Sequence, residues 1–123
     1  MARVFLDVNI IIDFIEDRRE VNPSLLENDL FVSPLSFHIL IYTYKHKIPS
    51  EKLIKSRKYF NIIPFGENIN DNALLGPTTD FEDNVQLHSA AAAECDLFLT
   101  NDKHLISMKF FGKTRITQEI TRS

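Results

Sequence analysis

The chain has 123 residues, of which 44% are hydrophobic, and a formal net charge of −3 at pH 7. This length predicts a single domain over residues 1–123 with its own core, and excludes two domains of ordinary size. The acidic balance excludes overall attraction to nucleic acid, so such binding requires a local basic patch or metal ions. The single cysteine, Cys95, excludes an internal disulfide and a cysteine-based zinc site, and favours a reducing cytoplasm.

The amino terminus, MARVFLDVNIIIDF, places an Arg before apolar residues, as a signal peptide does. Asp7 and Asp13 interrupt the apolar region, however, and no small-residue cleavage site follows. No apolar window is long enough to span a membrane. We therefore expect no membrane association.

Hydrophobic patterning predicts strands that alternate with helices along the chain. The first helix follows Asp7, a brief one begins at Pro23, and a buried one runs from Pro34 to near Ile48. Later helices are predicted over 50–60, 67–75 and 80–94, with a short one from Asp102. Strands are predicted at 4–6, 30–33, 61–65 and 96–100, with an edge strand at 114–117 and a frayed end after it.

Strands separated by helices pair in parallel, so their carboxyl ends meet at one edge of the sheet. Two of these ends carry an aspartate, Asp7 directly after the first strand and Asp102 just after the fourth. The helix that begins at Asp80 places Asp80 and Asp83 three residues apart on one face. Three distant segments thus offer carboxylates to the edge where α/β proteins bind ligands.

These acids have two readings. Asp80 and Asp102 stand where helix N-caps are expected, a role worth about 1 kcal/mol, and Asp83 lies in a first turn that favours an acid. Alternatively, carboxylates brought together repel each other unless a cation offsets them, and Mg²⁺ or Mn²⁺ prefers oxygen ligands. Such a site hydrolyses phosphodiesters by activating water and neutralising charge. The residues alone leave both readings open.

Three segments carry a resemblance to a known family: VFLDVNIIIDFI, VSPLSFHILIYTYK and DFEDNVQLHSAAAAECDLFLTND. In order and spacing they resemble PIN-domain nucleases, especially the bacterial branch of VapC-like toxins from toxin-antitoxin pairs. The resemblance implies a three-layer α/β/α sandwich with a central parallel sheet and Mg²⁺- or Mn²⁺-dependent endoribonuclease activity. It also implies an RNA substrate, an antitoxin partner and a homodimer.

Carried over residue by residue, the resemblance assigns catalytic and metal-binding roles to Asp7, Asp83 and Asp102. Supporting positions match Asp80, Asn9, Thr100 and Asn101. One position departs from the family, because its second acid, a Glu, aligns with Ile39, beside His38. The competing hypothesis is therefore a PIN-like RNA- or antitoxin-binding module with weakened catalysis. A receiver-type signalling domain would require an adjacent acidic pair after the first strand, where only Asp7 stands.

A basic stretch, YKHKIPSEKLIKSRKYF, offers a candidate RNA surface. Its cations are Lys45, Lys47, Lys52, Lys55, Arg57 and Lys58. Tyr44 and Tyr59 would stack unpaired bases. The alternative reading of this stretch is an ordinary solvated helical face.

Overall fold

The computed structural model describes residues 1–18, 20 and 22–119. A six-stranded sheet runs through the protein in the order β3-β2-β1-β4-β6-β5. Its strands are β1 (Arg3–Leu6), β2 (Asp29–Val32), β3 (Asn61–Ile62), β4 (Leu97–Leu99), β5 (Phe110–Phe111) and β6 (Thr114–Thr117). Every neighbouring pair is parallel except β5 with β6. The predicted α/β fold with a central parallel sheet is confirmed.

Helices cover both faces of this sheet. They are α1 (Val8–Ile15), α2 (Pro34–Tyr44), α3 (Glu51–Arg57), α4 (Glu67–Leu75), α5 (Phe81–Ala92) and α6 (Lys103–Met108), with a 3-10 helix at Pro23–Glu27. Polar caps begin many of them: the Ser33 hydroxyl, for example, accepts the Leu35 N–H at the start of α2. In the described part of the chain, no helix is long and apolar enough to cross a membrane.

The core has two halves, one on each face of the sheet, and the strand residues alternate between them. In β1, Val4 and Leu6 face the half that includes Ile11 of α1. Phe5 faces the other half and stacks on Phe98 of β4, with 5.3 Å between ring centroids. This period-2 alternation in a strand buried on both sides produces the three-layer sandwich.

Several predicted boundaries were wrong, each for a local reason. Helix α2 ends at Tyr44, not near Ile48, because Lys45 adopts a left-handed conformation (φ 54°) and caps the helix. Helix α3 ends at Arg57, before the predicted end of its segment. Strand β3 stops at Ile62 although the Ile63 N–H still bonds to Val32 O, since Pro64 has no N–H to donate.

The predicted edge strand at 114–117 is not at the edge. It forms β6, between β4 and β5, and the unpredicted hairpin strand β5 covers its outer side. Residues 120–123, predicted to fray, lie outside the described residues.

Candidate active site at the carboxyl edge of the sheet

The centre of the site is a hydrogen-bond chain between the ends of two neighbouring strands. The parallel register pairs Leu6 with Leu99, so Asp7 and Thr100 stand side by side. The Thr100 hydroxyl donates to Asp7 Oδ2 at 2.7 Å and accepts the Asp102 N–H at 3.0 Å. Both Asp7 and Thr100 are buried. One hydroxyl therefore joins two of the predicted site acids.

The other two acids come from the start of α5. Asp80 is its N-cap, and Asp80 Oδ1 accepts the Asp83 N–H at 3.0 Å. Asp83 is half-buried, whereas Asp80 is exposed. Asp7, Asp80, Asp83 and Asp102 approach closely enough to repel one another. We call these four residues the aspartate cluster.

Capping and a role in the site are compatible in this structure. Asp7, Asp80 and Asp102 all cap helices, through N–H groups of Val8, Asp83, and His104 with Leu105. Each cap uses one carboxylate oxygen. Oδ2 of Asp80 and of Asp102 has no hydrogen bond from any described residue, so both oxygens are available to a ligand.

Burial and mutual repulsion favour the protonated acids. Burial raises the pKa of Asp7 above its ordinary value of 3.8, and the hydrogen bonds from Thr100 and Val8 offset only part of that rise. Burial, followed by repulsion from the other three aspartates, raises the pKa of Asp83 to about 7. Near neutral pH, Asp83 is therefore in equilibrium between its charged and neutral forms.

No basic side chain among the described residues forms a salt bridge with the aspartate cluster. Its charge must be offset by protons or by a cation from solution. The donors are all carboxylate oxygens, which fit Mg²⁺ or Mn²⁺ in their chemistry. Within the described ranges, no three His, Cys, Asp or Glu side chains are arranged to hold a metal as they stand. Cation binding at the aspartate cluster therefore requires side-chain movement.

The family model described as "PIN domain" matches residues 4–110. The chain belongs to the PIN-domain family. A comparison with curated protein sequences gave no match. Among solved structures, the chain is similar to one in the crystal structure of VapBC2 from Rickettsia felis bound to a DNA fragment from their promoter. The TM-score is 0.68 at 18% identity, over 94% of this chain and 97% of that one. At this identity, the likeness concerns the fold.

Two polar residues predicted to support this PIN-domain site form no side-chain hydrogen bond with the aspartate cluster in the described part of the chain. Asn9 is exposed on the first turn of α1, and no described residue hydrogen-bonds to its side chain. Asn101 is half-buried between Thr100 and Asp102, and its Oδ1 accepts from Gln118 Nε2 at 3.4 Å. The other two predicted supporting residues, Thr100 and Asp80, form hydrogen bonds within the cluster.

Ile39, the residue at the family's second acid, is half-buried in α2. It offers no oxygen ligand. The adjacent His38 is exposed and stacks on Tyr42, and its ring carries nitrogens but no oxygen.

Two buried polar residues of α5 were not predicted as functional. Gln86 is 1% exposed, and its Nε2 donates to the Ser36 hydroxyl on α2 at 3.1 Å. Asn84 is 3% exposed and bonds to the loop before α5. The signal in the sequence is the polar character of the first half of α5. Polar residues there are also typical of a solvent-facing helix, so the sequence does not show that Asn84 and Gln86 are buried.

All six cations of the predicted RNA surface are exposed, but two of them have partners within the protein. Lys52 Nζ lies 3.3 Å from Glu16 Oε2, and Glu16 also contacts His46. Arg57 Nη1 donates to the Phe60 carbonyl at 2.9 Å. Lys45, Lys47, Lys55 and Lys58 are exposed, and no described residue forms a salt bridge with them.

Proposed function

We propose that this PIN domain is a metal-dependent endoribonuclease and the toxin component of a toxin-antitoxin pair. The observation that supports this most is the aspartate cluster. Its members come from three distant segments, lie at the carboxyl edge of a parallel sheet, and have no cationic side chain of the described protein to offset them. The PIN-family match implies nuclease activity, and VapBC2 from Rickettsia felis supports the toxin role through the shared fold.

Asp7, Asp83 and Asp102 would hold one or two divalent cations, and Asp80 would add an oxygen. A bound Mg²⁺ or Mn²⁺ supplies positive charge beside the phosphodiester and promotes ionisation of the attacking water. The chain's own groups prepare this site. Thr100 orients the buried Asp7 through its hydroxyl.

In the protein without a cation, burial and repulsion from the other carboxylates raise the pKa of Asp83 to about 7. A bound cation would offset that repulsion and favour the ionised form of Asp83 that binds it. The exposed lysines of the 45–58 stretch would contact RNA phosphates, a contribution that weakens as salt rises.

Cleavage of a mixed set of single-stranded and hairpin RNAs in Mg²⁺ and in Mn²⁺ tests the nuclease directly. The wild-type chain should cut, and EDTA or Asp83→Asn should abolish cutting. Asp29→Asn is the matched control, because it removes an exposed carboxylate at the opposite edge of the sheet. If the wild-type chain cuts no RNA in either metal, the nuclease proposal fails.

The second candidate is a binding module that retains the fold without turnover. Ile39 favours the binding module, since its side chain has no oxygen to bind a metal ion. Ile39→Glu distinguishes the two. If Ile39→Glu cleaves RNA and the wild-type chain does not, the binding module is the better description.

An apolar groove supports the proposal of an antitoxin partner. A cavity of about 390 Å³ opens between α2 and α3, and its lining includes Phe37, Ile41, Ile48, Ile54 and Arg57. Ile48 is 69% and Ile54 58% exposed. Exposed apolar surface of this kind marks an interaction site. A homodimer through the same surface is the alternative occupant.

Co-expression with a small protein encoded directly upstream tests this partner. The complex should be stable to gel filtration, and Ile54→Glu should dissociate it. Leu75→Glu is the control, because Leu75 is 87% exposed on α4, away from the groove lining. Light scattering of the chain alone reports the homodimer.

The lone, buried Cys95 supports a reducing, cytoplasmic location.

A further inference from the structure

Asn84, at the fourth position of α5, uses all four hydrogen-bonding positions of its side-chain amide. Oδ1 accepts from the Thr78 N–H at 2.9 Å and from the Thr78 hydroxyl at 2.7 Å. Nδ2 donates to the carbonyls of Ala73 and Thr78, both at 2.9 Å. Asn84 thus ties the start of α5 to both the end of α4 and the connecting loop.

Thr78 links this hydrogen-bond network to the backbone of Asp80. The Thr78 hydroxyl accepts the Asp80 N–H at 3.0 Å and lies 3.1 Å from the Asp80 carbonyl. The same carbonyl accepts the Asn84 backbone N–H at 3.1 Å. The backbone of Asp80 is therefore held on both sides, while its Oδ2 has no hydrogen bond from a described residue.

Capping of α5 does not require this network. The cap itself is the bond from the Asp83 N–H to Asp80 Oδ1, which any Asp or Ser at that position can make. Asp80 is exposed, and it lies close enough to the carboxylates of Asp7 and Asp83 to repel them. An unrestrained loop would relieve this repulsion by moving Asp80 away from the other carboxylates. The buried amide of Asn84 opposes that movement with four hydrogen bonds, which are strong restraints where water is excluded.

We propose that Thr78 and Asn84 are positioning residues that hold Asp80 against the aspartate cluster, so that Asp80 contributes an oxygen to the bound cation. This inference rests on the proposed function for its metal. Neither residue touches the substrate. Groups that orient a ligand in this way typically change metal affinity by about 10–100-fold when they are removed.

Direct Mn²⁺ titration followed by electron paramagnetic resonance tests the proposal without RNA. Thr78→Val removes the hydroxyl, Thr78→Ser retains it, and Thr79→Val alters an exposed neighbour outside the network. We expect Thr78→Val to weaken Mn²⁺ binding about tenfold, and the other two variants to bind as the wild-type chain does. In an Asp80→Asn background, Thr78→Val should have no further effect on the affinity.

A merely structural role gives a different pattern. Thr78→Val would then lower the melting temperature equally in both backgrounds and leave Mn²⁺ affinity unchanged, which overturns the proposal. If the wild-type chain binds no Mn²⁺, the proposed metal site fails, and amide hydrogen exchange decides the positioning. Faster exchange of the Asp83 N–H in Thr78→Val than in Thr79→Val supports a held Asp80. Equal exchange in the two variants overturns it.

Discussion

Thr100→Val should destabilise the protein in a pH-dependent way. Valine has nearly the shape of threonine, so the substitution removes the hydroxyl and little else. The buried carboxylate of Asp7 loses a 2.7 Å hydrogen bond, and the Asp102 N–H loses its acceptor. A hydrogen bond to a charged group contributes about 1.5–3 kcal/mol and an N–H left without its acceptor costs about 1 kcal/mol, so the expected loss when Asp7 is ionised is about 2.5–4 kcal/mol.

The sign of the pH dependence follows from Asp7. Its pKa is already raised in the folded protein, so Asp7 favours folding below its ordinary value of 3.8 and opposes it as pH rises through the raised pKa. The Thr100 hydroxyl stabilises the charged form, and its removal raises the folded pKa further. The difference between wild type and variant should therefore be small in acid and grow as Asp7 ionises.

Urea unfolding between about pH 4 and pH 8 in EDTA measures this difference. Thr114→Val is the matched control, because the buried Thr114 hydroxyl donates to the uncharged Cys95 carbonyl at 2.8 Å. It should cost about 1 kcal/mol at every pH. If Thr100→Val shows the same flat profile as Thr114→Val, the hydroxyl does not stabilise an ionised Asp7, and the reasoning is wrong.

Three further predictions concern other polar groups. Asp83→Asn should gain stability relative to wild type as pH rises from about 4 to 8 in EDTA, since the raised pKa of Asp83 makes its ionisation unfavourable to folding; identical melting curves across this range would contradict it. Ser36→Ala should cost about 1–3 kcal/mol by leaving the buried Gln86 amide without a partner, and adding Gln86→Leu should recover part of that loss in urea unfolding. Glu16→Gln should destabilise by about 1 kcal/mol at neutral pH. Although burial opposes ionisation of Glu16, hydrogen bonds from its two basic partners outweigh it and lower its pKa, so the difference should disappear as pH falls through that lowered pKa; a difference that persists in acid would contradict the assignment.

Much of the fold could be predicted from local patterns. The alternation of Val4, Phe5 and Leu6 identifies a strand buried on both faces, and the acid that follows each of two strands identifies the ligand-binding edge. These features depend on residues close together in the chain, so hydrophobic periodicity and cap chemistry reveal them. The carboxylates at the edge were predicted in this way. Their catalytic and metal-binding roles remain predictions.

Strand order could not be predicted from the same patterns. Parallel backbone hydrogen bonds are alike for every pair of strands, so nothing local states that β1 lies beside β4 or that β5 covers β6. Packing of the whole chain selects the neighbours that bury both apolar faces. The Asp7–Thr100 hydrogen bond follows from that choice, because the register of β1 with β4 brings them together.

The sequence by itself determined the succession of strands and helices, the burial pattern of each strand and the acids available at one edge. Tertiary structure alone decided which polar residues became internal. Asn84 and Gln86 are ordinary helix residues in the sequence, and only the packing of α5 against α4 and α2 buries them and gives them partners. It also decided the raised pKa of Asp83, since burial and the charges responsible come from segments far apart in the chain. Local preference acts through neighbouring residues, whereas burial and repulsion depend on every group that the folded chain brings close.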